Sequence, residues 1–475
     1  LQNAHLLMPH FDSGELARWT AGRWTVSPHA RLSGFAIDTR QVRTGEIFVA
    51  LKTAARDGHD FLANALQAGA SAAIVSSPNL NVALPQLIVE DPLAAFQAIA
   101  REHRRAFAGP VIGITGSAGK TSTKNLLALL LGASAEASPV LATEGNLNNH
   151  LGVPLTLTRL DPSQHQFAVI EAGISAPDDM AILAGLIEPD LALTTLVAAA
   201  HIKELGSLDG VAEEKSRLSA AVRPSGVAIY PAQCAAFPAF QKLTVSHIKV
   251  EPIALHAGLK NCLNTVGFVL TQSAETTRLQ ILRGDGESSA FTLSRVTDGM
   301  AQNAALAISA ALHLGVSAAA IQERLQSYAP TAMRGEWRRV SGCLLYLDCY
   351  NANPASMRDA LVTFRAVAPA TEPRLYVVGG MEELGVEAAR HHRELGRSIE
   401  LRAEDVLVTI GDYADELRAG AIEQGRNAAQ ISVVTRQADI AAAITGFRGA
   451  IFVKGSRRYQ LEAALGALLE PISSC

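Results

Sequence analysis

Short continuous apolar runs, separated by longer amphipathic stretches, set the pattern of the chain. The clearest runs, 167–172 and 191–196, read as strands buried on both faces of a parallel sheet. Upstream, 46–51, 72–76 and 87–89 read as strands. Residues 61–69 read as a helix closed by Gly69, and Pro92 opens another that runs to about residue 107. Gly109-Pro110 breaks the pattern. An apolar run from residue 111 then enters a glycine-rich turn and a leucine-rich helix around 126–131. A further strand falls at 227–230, and the Thr- and Ser-rich alternation of 240–297 suggests antiparallel hairpins at one sheet edge. Helices follow at 300–314 and 317–327. From about 331 the rhythm restarts, with strands at 344–348, 374–378, 406–410, 431–434 and 450–453. Helices beginning at Pro354, Glu387, Tyr413, Gln437 and Tyr459 separate them. The pattern predicts an α/β chain of three domains: a small α/β unit at 1–108, a central parallel sheet with an antiparallel edge at 109–330, and a doubly wound sheet at 331–475.

Composition agrees with that division. The chain has 475 residues, 48% of them hydrophobic and 18% charged, which is enough for large cores and excludes a disordered chain. A formal net charge of −4 gives no reason to expect a nucleic acid partner. The basic cluster 101–105 reads as a solvated helix face or a local anion contact. Five scattered cysteines, with no Cys-x-x-Cys pair, fit a reducing compartment. No secretory pattern is visible, and the apolar stretch 191–202 is too short to span a bilayer. These features imply a soluble, cytoplasmic protein without a membrane segment.

The chemistry is organised around Thr115-Gly-Ser-Ala-Gly-Lys-Thr121. A strand, a loop containing Gly116 and Gly119, and a helix N-terminus together cradle phosphate through backbone N–H groups. Lys120 can reach terminal phosphates, and the Thr121 hydroxyl can hold Mg²⁺. The usual first glycine of such loops is replaced by Ile114, so this is a shorter variant. At the carboxyl ends of neighbouring strands stand Glu171, a hard oxygen ligand for the same metal, and His201. Taken singly, Glu171 also reads as a helix-cap or surface carboxylate, and His201 as a satisfied loop histidine. On its amphipathic helix, Lys215 reads as an exposed lysine. Asn146, Asn148 and Asn149 crowd a loop before a helix, where amides can position a carboxylate or phosphate. In the last domain, Tyr350 can stack on a base and Asp348 can accept from a ribose hydroxyl. Lys454-Gly-Ser-Arg457 offers cations and a hydroxyl, and Arg334 can reach across a hinge.

Together these segments resemble the Mur ligase family, and within it the MurF branch. The first domain contributes Asp38-Thr39-Arg40, Ile47-Phe-Val-Ala-Leu51 and Asp57-Gly-His-Asp-Phe61. The middle domain contributes the phosphate loop, Asn146-Leu-Asn-Asn149, Glu171, Ala200-His201 and Lys215. The last contributes Asp348, Tyr350-Asn-Ala-Asn-Pro354, Glu383-Leu-Gly385, His392 and Val453-Lys-Gly-Ser-Arg457. Three positions depart from the family pattern. Glu171 is followed by Ala-Gly-Ile-Ser175. Gly299-Met-Ala-Gln-Asn303 stands where the family has His-Asn-x-x-Asn, and Gly379-Gly-Met381 stands for Gly-Asp-Met.

The resemblance implies a monomeric ATP-dependent ligase that joins D-alanyl-D-alanine to UDP-N-acetylmuramoyl-tripeptide through an acyl phosphate. The third peptide residue, diaminopimelate or lysine, stays open. It implies a Rossmann-like third domain and two Mg²⁺, with Lys120, Glu171, His201 and Lys215 as the catalytic set. Thr121, Glu171, His201 and a carbamylated Lys215 would serve the metals. Thr115, Gly116, Ser117, Ala118, Gly119, Lys120, Thr121, Asn303, Arg334, Asp348, Tyr350 and Asn351 would serve the nucleotide. Asp38, Thr39, Arg40, Asn146, Asn148, Asn149, Asn353, Lys454, Ser456 and Arg457 would serve the other substrates. Two other readings stand beside it: a different amino-acid ligase of the superfamily, and a phosphate-loop switch ATPase.

Overall fold

The computed structural model describes residues 9–134, 138–254 and 264–466. Three main sheets organise it. The first has the order Arg23–Trp24, Gln86–Ile88, Ala72–Val75, Ile47–Val49, Phe35–Ala36, and is parallel apart from its first strand. Helix α1 (Pro92–Ala106) closes it. Asp91 caps α1 by accepting from Leu93 N and Ala94 N, and Pro92 sits where its missing N–H costs nothing. Phe96 and Ile99 pack from α1 against Phe35 and Ile47.

The next sheet carries nine strands. Three adjacent strands towards one side of it are β1 (Val111–Thr115), β2 (Phe167–Glu171) and β3 (Leu191–Thr194), with β1 between the other two. All residues of β1 and β3 are buried, the mark of a sheet covered on both faces. Helix α2 (Lys120–Leu130) follows β1, α3 (Asp179–Ile187) lies between β2 and β3, and α4 (Leu208–Ala220) follows β3. The predicted antiparallel edge is present but starts later than expected. His247–Pro252 continues the parallel sheet, and only Thr265–Gln272, Thr276–Arg283 and Ser288–Ser294 pair antiparallel. Residues 255–263 of that stretch lie outside the described residues. Helix α5 (Asp298–His313) returns across the sheet and packs on α2.

The third sheet has six strands, built around β4 (Cys343–Asp348), β5 (Arg374–Gly379) and β6 (Ala450–Lys454), with α6 (Pro354–Val367) between β4 and β5. Its edge strand Glu336–Val340 was not foreseen. It is charged, partly exposed, and joined to β4 through Ser341 and Gly342, both at positive φ, as a tight hairpin demands. The helix expected from Tyr459 is also corrected. Gln460, at φ 43°, breaks the chain into two 3₁₀ turns, Arg457–Tyr459 and Leu461–Leu465. Residues 467–475 lie outside the described residues.

Arg104 joins the first two units. It is fully buried, donating to Ile187 O (2.8 Å), Glu188 O (2.7 Å) and Asp190 Oδ2 (2.8 Å), so this part of the basic cluster is a structural strut rather than a solvated face. Among the described residues no helix is long and apolar enough to cross a membrane.

Candidate active site

Between β1 and α2 the chain makes the glycine-rich loop expected to cradle phosphate. Gly116 (φ 150°) and Gly119 (φ 78°) supply conformations that other residues resist. They also admit close neighbours: a Cβ on Gly116 would meet Thr195 Oγ1 at 1.8 Å, and one on Gly119 would meet Asn303 Nδ2 at 2.1 Å. Thr195 Oγ1 donates to Ala118 O (2.6 Å), Ser117 N to Leu196 O (2.8 Å), and Ser117 Oγ to Ala198 O (2.9 Å). Thr115 and Ser117 are therefore buried in the scaffold of the loop. Lys120 Nζ donates to Gly116 O (2.8 Å), folding its side chain back over the loop. Burial lowers its pKa, and Glu171 nearby opposes that shift.

Glu171 ends β2 inside the core, 2% exposed. Its backbone N–H donates to Thr143 Oγ1 (2.9 Å), and its Oε1 accepts from Asn148 Nδ2 (2.8 Å). Its Oε2 is buried with no partner among the described residues. Such an oxygen costs free energy unless a cation or donor meets it. A carboxylate with a spare oxygen beside a loop threonine suits a hard divalent cation. Among the described residues, however, no three His, Cys, Asp or Glu side chains converge as a ready cluster. His201 stands apart, at φ 56°, with Nδ1 2.6 Å from Glu383 Oε2 of the third domain.

Lys215 contradicts its reading as an exposed lysine. It is 1% exposed, because α4 is covered on one side by the sheet and on the other by α3 and the helix Pro238–Gln241. Burial drives its pKa well below the usual lysine value, and the cation of Lys120 adds to that shift. Its neighbour Glu214 is occupied elsewhere, accepting from Asp178 N (3.0 Å) and Met180 N (3.3 Å) at the start of α3.

The third domain faces the loop across a cavity of about 450 Å³. Lys120, Thr121, Glu171, Asn146, Asn148 and Asn303 line one side, with Asp348, Tyr350, Asn351, Asn353 and Lys454 opposite and Arg334 between them. Lys454, 1% exposed, pairs with Asp348 (Nζ–Oδ2 2.6 Å) and donates to Asn351 O (3.2 Å). Burial raises the Asp348 pKa, and Lys454 and Arg334 pull it back. The Arg334 guanidinium lies 3.9 Å from the Tyr350 ring centroid. Asn353 caps α6 and donates from Nδ2 to Ser117 O (3.3 Å), a direct bond from the third domain to the loop.

Other expected residues are employed locally or lie elsewhere. Asn149 Oδ1 accepts from Leu151 N and Gly152 N, capping the following helix. Ser456 is buried and its N–H donates to Gly380 O (3.1 Å), while Arg457 pairs with Glu462 on the surface. Asp38 and Arg40 form an exposed ion pair in the first unit (2.6 Å), with Thr39 in the intervening turn. The Arg40 side chain holds the Asp38 carboxyl down at about 2. Three side chains around the site escaped the sequence reading. Thr195 and Glu214 carry no local motif, and Asp359 lies on a helix that reads as ordinary.

Comparison with known proteins follows this geometry. The Mur ligase family catalytic domain matches residues 31–109, the Mur ligase middle domain 114–311, and the Mur ligase glutamate ligase domain 333–457. The UDP-N-acetylmuramoyl-tripeptide–D-alanyl-D-alanine ligase of Escherichia coli is 33% identical over 445 residues, covering 92% of this chain and 94% of that protein. The chain belongs to the Mur ligase family. Among solved Mur ligases, MurF from Acinetobacter baumannii superposes with a TM-score of 0.84 at 28% identity, over 98% of this chain and 100% of that one. MurF from Thermotoga maritima, solved in complex with ADP, gives 0.76 at 25% identity, over 92% and 96%. These relatives share the MurF branch that the motifs of this chain resemble.

Proposed function

We propose that this Mur ligase joins D-alanyl-D-alanine to UDP-N-acetylmuramoyl-tripeptide at the cost of ATP. The observation that carries the proposal is the cavity itself. A phosphate loop with Lys120 faces Asp348, Tyr350 and Lys454 of another domain, and Glu171, which carries a buried oxygen without a partner among the described residues, lines the region between. This suits a nucleotide held between two domains, with its terminal phosphate at the loop.

A carboxylate resists direct attack by an amine, because its carbon is electron-rich and an oxide is a poor leaving group. In the proposed reaction the tripeptide carboxylate oxygen attacks the γ-phosphorus, and the bond to the β-phosphate oxygen breaks, releasing ADP. The dipeptide amine then attacks the acyl carbon, loses its proton, and expels phosphate from the tetrahedral intermediate. The backbone N–H groups of Gly116–Lys120 and the Lys120 ammonium offset the crowding of negative charge at the first transfer. Asn148 holds Glu171 in orientation. Tyr350 and Arg334 offer a stacked surface to the base, and Lys454 pairs with Asp348 and orients its carboxyl group for a ribose hydroxyl. Mg²⁺ held by Thr121 and Glu171 would neutralise phosphate charge when bound, whereas His201, paired with Glu383, stands apart from those two. Burial supports modification of Lys215, because it lowers the amine pKa and so favours the neutral form, the one that adds to carbon dioxide to give an anionic carbamate. The first domain would hold the UDP-sugar, with Asp38, Thr39 and Arg40 at that end.

Phosphate release with ATP, Mg²⁺ and UDP-N-acetylmuramoyl-tripeptide, with and without D-alanyl-D-alanine, tests this reading. Release should require the dipeptide. Release that ignores both peptide substrates would point to a switch ATPase, and release triggered instead by a single amino acid would point to another ligase of the superfamily.

A further inference from the structure

The N-terminus of α5, in the middle domain, is capped from the third domain. Asp359 on α6 accepts from Gly299 N with both carboxylate oxygens, Oδ1 at 3.1 Å and Oδ2 at 3.2 Å. The Thr297 hydroxyl also bonds this carboxylate, while its own oxygen accepts from Met300 N (3.1 Å). An anion at a helix N-terminus meets unsatisfied N–H groups and the positive end of the helix dipole. The contact has a steric condition. A Cβ at position 299 would lie 2.6 Å from Asp359 Oδ2, so a larger residue there would push the carboxylate away from the Gly299 N–H. Gly299 is also one of the departures from the family pattern, which has histidine there. Position 303 lies one helical turn further along the same face of α5, and Asn303 packs against Gly119 of the phosphate loop. Thr297, Gly299, Asn303 and Asp359 all line the nucleotide cavity. One short helix face thus runs from the third domain to the loop.

We propose that Asp359 is a positioning residue for the ligase reaction: by capping α5 across the domain boundary, it sets the third domain at the angle where Asp348, Tyr350 and Lys454 face the phosphate loop. Gly299 and Asp359 act as one unit, since each is useful only with the other. This inference rests on the ligase reading. Wild-type, dipeptide-dependent phosphate release tests that reading separately, so a failed wild type is distinguished from variants that behave like it.

The experiment compares Asp359→Ala, Asp359→Asn, Gly299→Ala and the double variant Gly299→Ala/Asp359→Ala in the full chain. Steady-state phosphate release gives kcat and KM for ATP, and thermal melts report folding. Asp359→Ala is expected to lower kcat/KM for ATP about fivefold, the scale of one lost helix cap. Its melting temperature should stay within about 2 °C, because a solvent-edge cap is a small part of a chain this long. Asp359→Asn, whose amide oxygen still accepts, should recover most of the loss. Gly299→Ala should reproduce Asp359→Ala, and the double variant should be no worse than either single one. The proposal is overturned if Asp359→Ala matches wild type, if Asp359→Asn fails to recover activity, or if the two single losses multiply in the double variant. It is also overturned if the rate losses simply follow loss of folded protein.

Discussion

Glu171 and Lys215 carry the sharpest claims at the level of single residues. Glu171→Gln keeps the shape and an acceptor for Asn148 but removes the charge on the unpaired oxygen. The expected outcome is a ligase rate lowered by about a hundredfold and a rise in the Mg²⁺ concentration needed for half-maximal phosphate release. An unchanged Mg²⁺ titration would remove Glu171 from the proposed metal site. Lys215→Ala is expected to abolish activity, and short carboxylic acids should restore part of it by supplying the missing carboxylate. A variant with full activity and no response to acid would exclude the carbamate. Glu171 was legible as a candidate because it ends an apolar strand. The burial of Lys215 was not legible, because a lysine on an amphipathic helix is ordinarily solvated, and nothing local shows that a second layer covers that face.

Elements bring their own tests. Arg104 anchors α1 to the residues that precede β3, donating to two carbonyls and to Asp190, which in turn accepts from Val111 N (2.9 Å) at the start of β1. Removing one partner of a buried pair leaves the rest desolvated and unpaired, so Arg104→Ala should destabilise the chain by about 3 kcal/mol in urea denaturation. In the first unit, in the 3₁₀ turn Gly58–Phe61 and its cap, Asp57 accepts from His59 N (3.0 Å) and pairs with His59 Nδ1 (2.6 Å), while Ser76 N donates to His59 Nε2 (2.9 Å). Because Nε2 accepts, the ring proton sits on Nδ1 and points at Asp57. These bonds hold the Asp57 carboxyl down at about 2, well below the usual carboxylate range. Its native pKa is depressed, so its stabilising effect is complete above about 4 and is lost as pH falls towards 2. Asp57→Ala should therefore lower the melting temperature at pH 7 and lose that difference progressively below pH 4.

For the whole molecule, the question is how the third domain is held against the phosphate loop. Among the polar links that cross that boundary are Asn353 to Ser117, His201 to Glu383, and Asp359 to Gly299. Asn353→Asp separates two roles of one side chain. Aspartate caps a helix as well as asparagine does, but it cannot donate to Ser117 O and it brings negative charge towards the phosphates. The melting temperature should hold while KM for ATP rises about tenfold, because a neutral donor becomes a charged acceptor beside the triphosphate. Equal changes in stability and KM would instead make Asn353 a cap alone.

The strand and helix rhythm, the three-part division of the sequence pattern and the phosphate loop with Lys120 could be read from the chain by itself. They depend on periodicity and turn chemistry, which act over a few neighbouring residues. The unforeseen edge strand Glu336–Val340 and the broken helix after Tyr459 mark where that reading ends. Pairing with β4 outweighed the strand's charged composition, and a single left-handed residue at Gln460 outweighed a helical pattern. Only the tertiary structure decided that Lys454 meets Asp348 across 106 residues, that Asp359 meets Gly299 across 60, and that Lys215 is buried. Crossover connections, strand order and domain packing bring those groups together, and no local stretch of sequence encodes where its distant partner will stand.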